Sequence, residues 1–304
     1  RWLNQGVKPQ VFTPANIPPP VPGRLRYGVL GFPVAHSLSP AMQEAGFRVL
    51  GIEAEYLRVE IPGSGLADAL PALRQAGFHG WNCTLPHKEA MFTLCQEADA
   101  TAKESTSANT VVVLKHGLYG YSTDADGWED AVAERWKVSL STQRILVLGC
   151  GGVGRTLAIR AAKKGCRSLL LANRSPEKAA RLGREILPIA KGPVSVVEWN
   201  PENLNKALSQ TDLVIQATSL GLSPTDPLPL PEDGLRPGLK IFDTVYRKDF
   251  TPLVRLARTR GADAVDGLGM LLHQGARALA IWTGQPAPVP VMREALEKEA
   301  GRSL

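Results

Sequence analysis

The stretch RILVLGCGGVGRTLAIRAAKKG, residues 144–165, decides the fold. It opens on RILVLG (144–149), an apolar run of strand length that reads as a strand buried on both faces. Three glycines follow at G-x-G-x-x-G spacing, Gly149, Gly151 and Gly154, with Cys150, Gly152 and Val153 between them. VGRTLAIRAAKKG (153–165) then has helical periodicity and stops at glycine. Strand, glycine-rich turn and helix in that order open a dinucleotide-binding sheet. Gly149 permits the tight turn, Gly151 leaves room for a pyrophosphate, and Gly154 lets helix and strand pack closely. The amides at the helix start then face the phosphates.

Downstream, RSLLLAN (167–173), VSVVEW (194–199), DLVIQATS (212–219) and LKIFDTVY (239–246) read as further strands. SPEKAARLGREI (175–186) reads as a helix with Ser175 at its N-cap. Strands alternating with helices imply a parallel, doubly wound sheet. The end of the second strand separates NAD from NADP, because an NAD site places Asp or Glu there for the ribose 2′-hydroxyl. Here the residues are Asn173, Arg174 and Ser175, with Lys178 one turn on. Arg174 can fork onto a 2′-phosphate and stack on adenine, and Ser175 can donate to the same phosphate. The expected cofactor is NADP(H). DGLGMLLHQGARALAIWTG (266–284) reads as a long apolar helix, followed by a Pro-rich link and the amphipathic helix PVMREALEKEA (290–300).

Upstream, YGVLGF (27–32), AEYLRVEI (54–61) and WNCTLP (81–86) read as strands. SPAMQEAGFRVL (39–50) and LADALPALRQAG (66–77) read as helices, the first started by Ser39 and Pro40. An acid- and alanine-rich helix is expected after residue 86, and ANTVVVLKHGLYGYSTD (108–124) reads as a hairpin turning at Lys115-His116-Gly117. Polar residues cluster after strand ends: Ser37 and Ser39; Asn82, Thr84 and Lys88; Asn109, Thr123 and Asp124. Ligands of open α/β sheets bind at such loops. A lysine with an aspartate suits alcohol–ketone interconversion, the ammonium polarising or protonating the oxygen and the carboxylate relaying the proton. Taken singly, Ser39 also reads as a helix cap and Lys88 as a surface lysine.

The length of 304 residues suits two domains. With 44% apolar and 21% charged residues the composition is that of a globular protein. The net charge of +6 comes without a basic run or aromatic–basic interleaving, so no nucleic-acid partner is expected and an anionic small molecule accounts for the excess. Four scattered cysteines without a C-x-x-C pair read as reduced thiols in a cytoplasmic protein. No membrane span or metal site is expected. PANIPPPVPG (14–23) reads as part of an extended arm over residues 1–23.

In order and spacing, AHSLSP (35–40), NCTLPHK (82–88), SANT (107–110), STD (122–124), GCGGVG (149–154), NRS (173–175), ATSLG (217–221) and DGLGMLLHQ (266–274) resemble the shikimate dehydrogenase family. The resemblance covers residues from about 25 onward. It implies reversible NADPH-dependent reduction of 3-dehydroshikimate to shikimate, toward chorismate and the aromatic amino acids. It implies two α/β domains: a substrate domain with a mostly parallel sheet over 24–124 plus 266–304, and a Rossmann-type NADP-binding domain over 125–265, the terminal helices returning to the first. Cleft closure about the two crossings would exclude water. Carried over by motif, Lys88 and Asp124 are the catalytic pair. Ser37 and Ser39 bind the substrate carboxylate; Thr84, Asn109 and Gln274 bond ring hydroxyls; Asn82 supports the site and Tyr246 lies near the substrate. Thr218, Ser219, Gly267 and Met270 join Gly149–Gly154, Asn173, Arg174, Ser175 and Lys178 on the cofactor side. The sequence departs from the family at Ser122, where an asparagine is usual, at Cys83, and in YRKDFTP (246–252), which lacks a proline after Tyr246. The expected partners are small molecules, and the expected state is a monomer or homodimer. Alternatives are a quinate/shikimate dehydrogenase with broader substrate or NAD use, and a non-catalytic NADP-sensing regulator on the same fold.

Overall fold

A computed structural model describes residues 9–304; the first eight residues of the expected arm lie outside the described residues. The chain divides into two α/β units, one running to Thr123 and adding Gly275–Glu299, the other comprising Asp124–Gln274 with Ala300–Leu304.

The first unit holds strands β1 (Val11–Phe12), β2 (Leu25–Gly31), β3 (Ala54–Glu60), β4 (Gly80–Cys83), β5 (Glu97–Ala98), β6 (Thr110–Leu114) and β7 (Gly117–Tyr121). They form one sheet in the order β1-β3-β2-β4-β6-β7-β5, parallel except where β6 meets β4 and β7. Helices α1 (Ser39–Val49), α2 (Leu66–Gln75), α3 (Lys88–Leu94) and α4 (Ala100–Ser105) connect them. Trp81, Leu73, Val59, Met91 and Val111 are among the apolar side chains packed beneath this sheet. The hairpin turns at Lys115–His116 as the sequence indicates. One expectation is corrected. The single helix expected after residue 86 is two short ones, because Gln96 N–H bonds the Leu118 carbonyl and Asp99 caps a new start through Ala102 N–H at 2.7 Å. Sheet pairing and a cap outweigh helix propensity there. Part of the arm is also built in: Val11–Phe12 pairs with β3, and the buried Arg26 guanidinium donates to the carbonyls of Pro18, Pro19 and Ala76.

The second unit holds β8 (Arg144–Leu148), β9 (Ser168–Ala172), β10 (Val194–Val197), β11 (Leu213–Gln216), β12 (Lys240–Asp243) and β13 (Asp263–Val265), all parallel in the order β10-β9-β8-β11-β12-β13. This is the doubly wound order whose crossover point lies at β8, the strand that feeds the glycine turn. Helices α5 (Asp124–Trp136), α6 (Gly152–Lys163), α7 (Pro176–Ile186), α8 (Pro201–Ser209) and α9 (Pro252–Thr259) complete it. Apolar clusters fill the unit; one contains Ile145, Val147, Leu157, Leu171 and Ile215, another Leu146, Leu148, Val214, Ile241 and Val254. The strand expected over 239–246 ends at Asp243, whose side chain takes the Val245 amide.

Two further helices, α10 (Leu268–Thr283) and α11 (Val289–Ala300), follow. Within the first unit they pack on α1, where a methyl group on Gly46 would meet Leu279 at 2.5 Å and Met292 at 3.4 Å. Trp282 donates its indole hydrogen to the Val111 carbonyl at 3.0 Å. No described helix is long and apolar enough to cross a membrane. All four cysteines are free.

Candidate active site

In the first unit the polar residues singled out by sequence stand at the ends of β2, β4 and β7. Ser39 is the first residue of α1 rather than its cap, which is Leu38. The Ser37 hydroxyl oxygen instead accepts the Ser39 amide at 3.3 Å. That leaves the Ser39 side chain unused by the helix. Arg58, from β3, holds the loop by donating to the Ser37 carbonyl at 2.8 and 3.2 Å.

Behind this loop lies a buried network. Tyr56 donates to Asn82 Oδ1 at 2.6 Å, and Asn82 spends both amide hydrogens on the Asn109 carbonyl at 3.1 Å and Thr110 Oγ1 at 2.9 Å. Asn109 Oδ1 accepts the Thr123 amide at 2.8 Å, and Asn109 Nδ2 donates to Thr123 Oγ1 at 2.9 Å. Burial raises the Tyr56 pKa well above the ordinary phenol value, so the phenol keeps the hydrogen it donates. Asn82 is thus a strut that fixes Asn109. Thr84 follows β4, and Gly31 makes room for it: a methyl group on Gly31 would lie 2.4 Å from the Thr84 methyl. Lys88, partly buried, starts α3, and its carbonyl accepts the Ala108 amide at 2.9 Å. The Ser122 hydroxyl is buried with no partner among the described residues, so the serine in place of the family's amide supplies no such bond.

Asp124, Tyr246 and Gln274 fall in the second unit. Asp124 is buried at the start of α5. Gln274, also buried, donates to the Leu271 carbonyl at 2.8 Å.

The glycine turn between β8 and α6 is shaped by contacts a side chain would destroy. Gly149 has φ +97°, and a methyl group there would lie 2.8 Å from the Ala217 carbonyl oxygen. At Gly154 it would lie 1.9 Å from the Gly149 carbonyl oxygen. At Gly151 it would meet no protein atom within 4 Å. The opening beside Gly151, the helix cap, fits a pyrophosphate met by the amides of Gly152 and Val153. Cys150 lies between Gly149 and Gly151 with its groups engaged inside the protein. Its amide is taken by Asn173 Oδ1 at 2.9 Å and its buried thiol packs in the core. Asn173 also donates to the Ser175 carbonyl at 3.0 Å, tying the turn to the next loop. Ser175 is the cap residue of α7, but its hydroxyl makes no capping bond. Arg174 and Lys178 are exposed there with no acid on the strand end, which fits a 2′-phosphate.

Two more loops of this unit are stitched together at the ends of β11 and β12. Gln216 accepts the Thr218 amide at 2.7 Å and donates to the Leu220 carbonyl at 2.8 Å, fixing the Thr218–Ser219 turn. Asp243 closes the loop that carries Tyr246, accepting the Val245 amide at 3.0 Å and the Thr251 hydroxyl at 2.6 Å. Burial pushes the Asp243 carboxyl up to about 7 against these donors. Burial, with the charge of Asp266 adding, pushes the Tyr246 phenol up to about 12. Gly267 lies where a methyl group would meet the Thr244 carbonyl oxygen at 2.3 Å, and Met270 is buried in the core of the unit.

Sequence reasoning passed over Tyr56, Arg58, Gln216, Asp243, Asp266 and Arg302. The signal available was weak: for Arg58, Gln216, Asp243 and Asp266, a charged or amide residue inside or just after an apolar strand, and for Tyr56 and Arg302 none.

Family profiles match three parts of the chain: "Shikimate dehydrogenase substrate binding domain" over residues 29–111, "Shikimate / quinate 5-dehydrogenase" over 131–222, and "Shikimate 5'-dehydrogenase C-terminal domain" over 267–297. A relative from Rubrobacter xylanophilus named shikimate dehydrogenase (NADP(+)) is 41% identical over 274 residues, 90% of this chain and 95% of the relative. The crystal structure of shikimate dehydrogenase from Aquifex aeolicus superposes with a TM-score of 0.83 at 33% identity, covering 91% of this chain and 98% of that one. Shikimate 5-dehydrogenase from Thermus thermophilus in complex with NADP(H) and shikimate gives 0.80 at 35%, covering 90% and 99%. Agreement in sequence along almost the whole chain, together with the same two-unit architecture, makes this chain a member of the shikimate dehydrogenase family.

Proposed function

We infer that the chain is an NADP-dependent shikimate dehydrogenase, an oxidoreductase acting on a CH–OH group, which reduces 3-dehydroshikimate to shikimate reversibly in aromatic amino-acid biosynthesis. The observation that carries this is the pairing of a fixed amide–hydroxyl network at Asn82, Asn109 and Thr123 with a glycine turn open to a pyrophosphate at Gly151. Gly151–Gly154, Arg174, Ser175, Lys178, Thr218 and Ser219 would hold NADP(H), which when bound would supply or receive the hydride. Ser37 and Ser39 bind the carboxylate of the substrate, while Thr84, Asn109, Gln274 and Tyr246 orient its ring. Lys88 gives its proton to the reacting oxygen as the ketone becomes an alcohol, and the Asp124 carboxylate relays a proton from water back to Lys88. Arg174 and the lack of an acid after β9 favour NADP over NAD. Retention of both Lys88 and Asp124 favours an enzyme over a regulator. The enzyme acts on small molecules, in the cytoplasm, as a monomer or homodimer; its four unpaired thiols support that compartment.

Steady-state oxidation of shikimate with NADP+ tests the assignment. Lys88→Ala and Asp124→Ala should each lower kcat by about 10²–10⁴-fold with NADP+ binding retained. Turnover near wild type in either variant overturns the pair.

A further inference from the structure

The loop that carries Tyr246 is held from a third side by the segment Ala300–Leu304, which belongs to the same unit. Arg302 Nε donates to the Arg247 carbonyl at 3.1 Å, and its Nη2 pairs with Asp266 Oδ2. Its guanidinium lies 4.0 Å from the centroid of Phe250. Arg258 stacks on the same ring at 4.3 Å while donating to the Ala264 carbonyl at 2.9 Å. Phe250 has φ +60°, the left-handed region that a bulky side chain avoids, so its conformation needs support from its surroundings. The side chains of Arg302 and Asp266 are 10% and 3% exposed, which makes this a dry, charge-assisted contact. Asp266 also accepts the Leu268 amide at 3.2 Å, so the same carboxylate sets the start of α10, two residues before Met270.

We propose that Arg302 is a positioning residue for the Tyr246 loop: its guanidinium joins the Arg247 carbonyl, the Phe250 ring and the Asp266 carboxylate into one clamp. The consequence for catalysis rests on Tyr246 being a substrate-side residue, as assigned above. A lysine at 302 keeps the charge for Asp266 but lacks the planar fork that reaches Arg247 and covers the ring. The clamp therefore belongs to arginine and not to positive charge in general.

The test compares Arg302→Ala and Arg302→Lys with the wild-type protein by limited trypsin digestion and kinetics. Arg247 and Lys248 supply tryptic sites inside the loop, and mass spectrometry locates the cut. In Arg302→Ala, cleavage after these residues should accelerate by about tenfold or more, because proteolysis follows local opening. The KM for shikimate should rise by about fivefold while that for NADP+ stays within about twofold, a split that general destabilisation does not produce. Arg302→Lys should recover only part of both effects. Unchanged loop cleavage in both variants overturns the clamp, and so does full recovery by lysine. Accelerated cleavage with an unchanged KM for shikimate overturns the positioning part. Failure of the wild-type protein to oxidise shikimate would count against the proposed function alone, since the digestion still reads the clamp.

Discussion

Arg174 and Lys178 are exposed cations where the chain passes from β9 into α7, and their energetic weight depends on what they meet there. A guanidinium forked onto a 2′-phosphate is worth far more than the same group in water. Arg174→Ala should therefore raise the KM for NADP+ by about tenfold or more and leave that for NAD+ within about twofold. Equal changes for the two cofactors would show that Arg174 does not read the 2′-phosphate. At this scale the sequence singles out residues whose chemistry and position coincide, such as Arg174 and Lys88. It was silent on Tyr56 and Asp243, whose importance comes from partners distant in the chain. Tyr56 lies 26 residues from Asn82, and Asp243 is 27 from Gln216. A tyrosine in a strand reads as core until its hydroxyl is seen to point at an amide.

The turn from β8 into α6 separates two uses of glycine within six residues. Gly154 is required by the fold, since any side chain strikes the Gly149 carbonyl. At Gly151 a methyl group points into open space, so under the proposed function it is the bound pyrophosphate that calls for glycine there. Gly154→Ala should destabilise the second unit by roughly 2–3 kcal/mol, read as a lower midpoint in denaturant unfolding. Gly151→Ala should leave that midpoint near wild type yet weaken NADP+ binding in a direct titration. If Gly151→Ala unfolds the protein, or binds NADP+ as well as wild type, the division of roles fails. Elements were legible from the sequence where periodicity was long, as in β8, α6 and α10. They were illegible where a single side-chain bond decides the boundary. Asp99 opens α4, and Asp243 ends β12. Both bonds are local, and what lets them win over a longer element comes from afar: the Gln96 amide on the Leu118 carbonyl, and the Thr251 hydroxyl on Asp243.

On the scale of the whole molecule, buried carboxylates set the pH dependence of stability. Asp243 is raised from 3.8 to about 7 by burial, and burial raises Asp266 as well, against the pull of Arg302. A carboxyl whose folded pKa lies above its unfolded value binds its proton more tightly when folded. Its contribution is full below 3.8 and is lost as pH rises through about 7. Asp212, lowered to about 2 by Arg144, has the opposite sign, and its contribution is lost as pH falls from 3.8 to about 2. Unfolding free energy should thus decline between pH 4 and pH 7 by an amount that Asp243→Asn reduces. A slope unchanged by Asp243→Asn in calorimetry across that range would remove Asp243 as its source.

The sequence by itself determined the doubly wound sheet with its glycine turn, the cationic end of β9 and the order of the site motifs. Those follow from local rules: apolar period, turn chemistry, and the charge at a strand end. Tertiary structure alone decided how the motifs are held. It partitioned Asp124 and Gln274 with the second unit, bound Val11–Phe12 into the first sheet, and brought Arg302 against the Tyr246 loop. The reason is physical. Hydrogen bonds and ring contacts between residues far apart in the chain gain energy only after the backbone has closed the loop between them, and no local pattern of residue types records that closure.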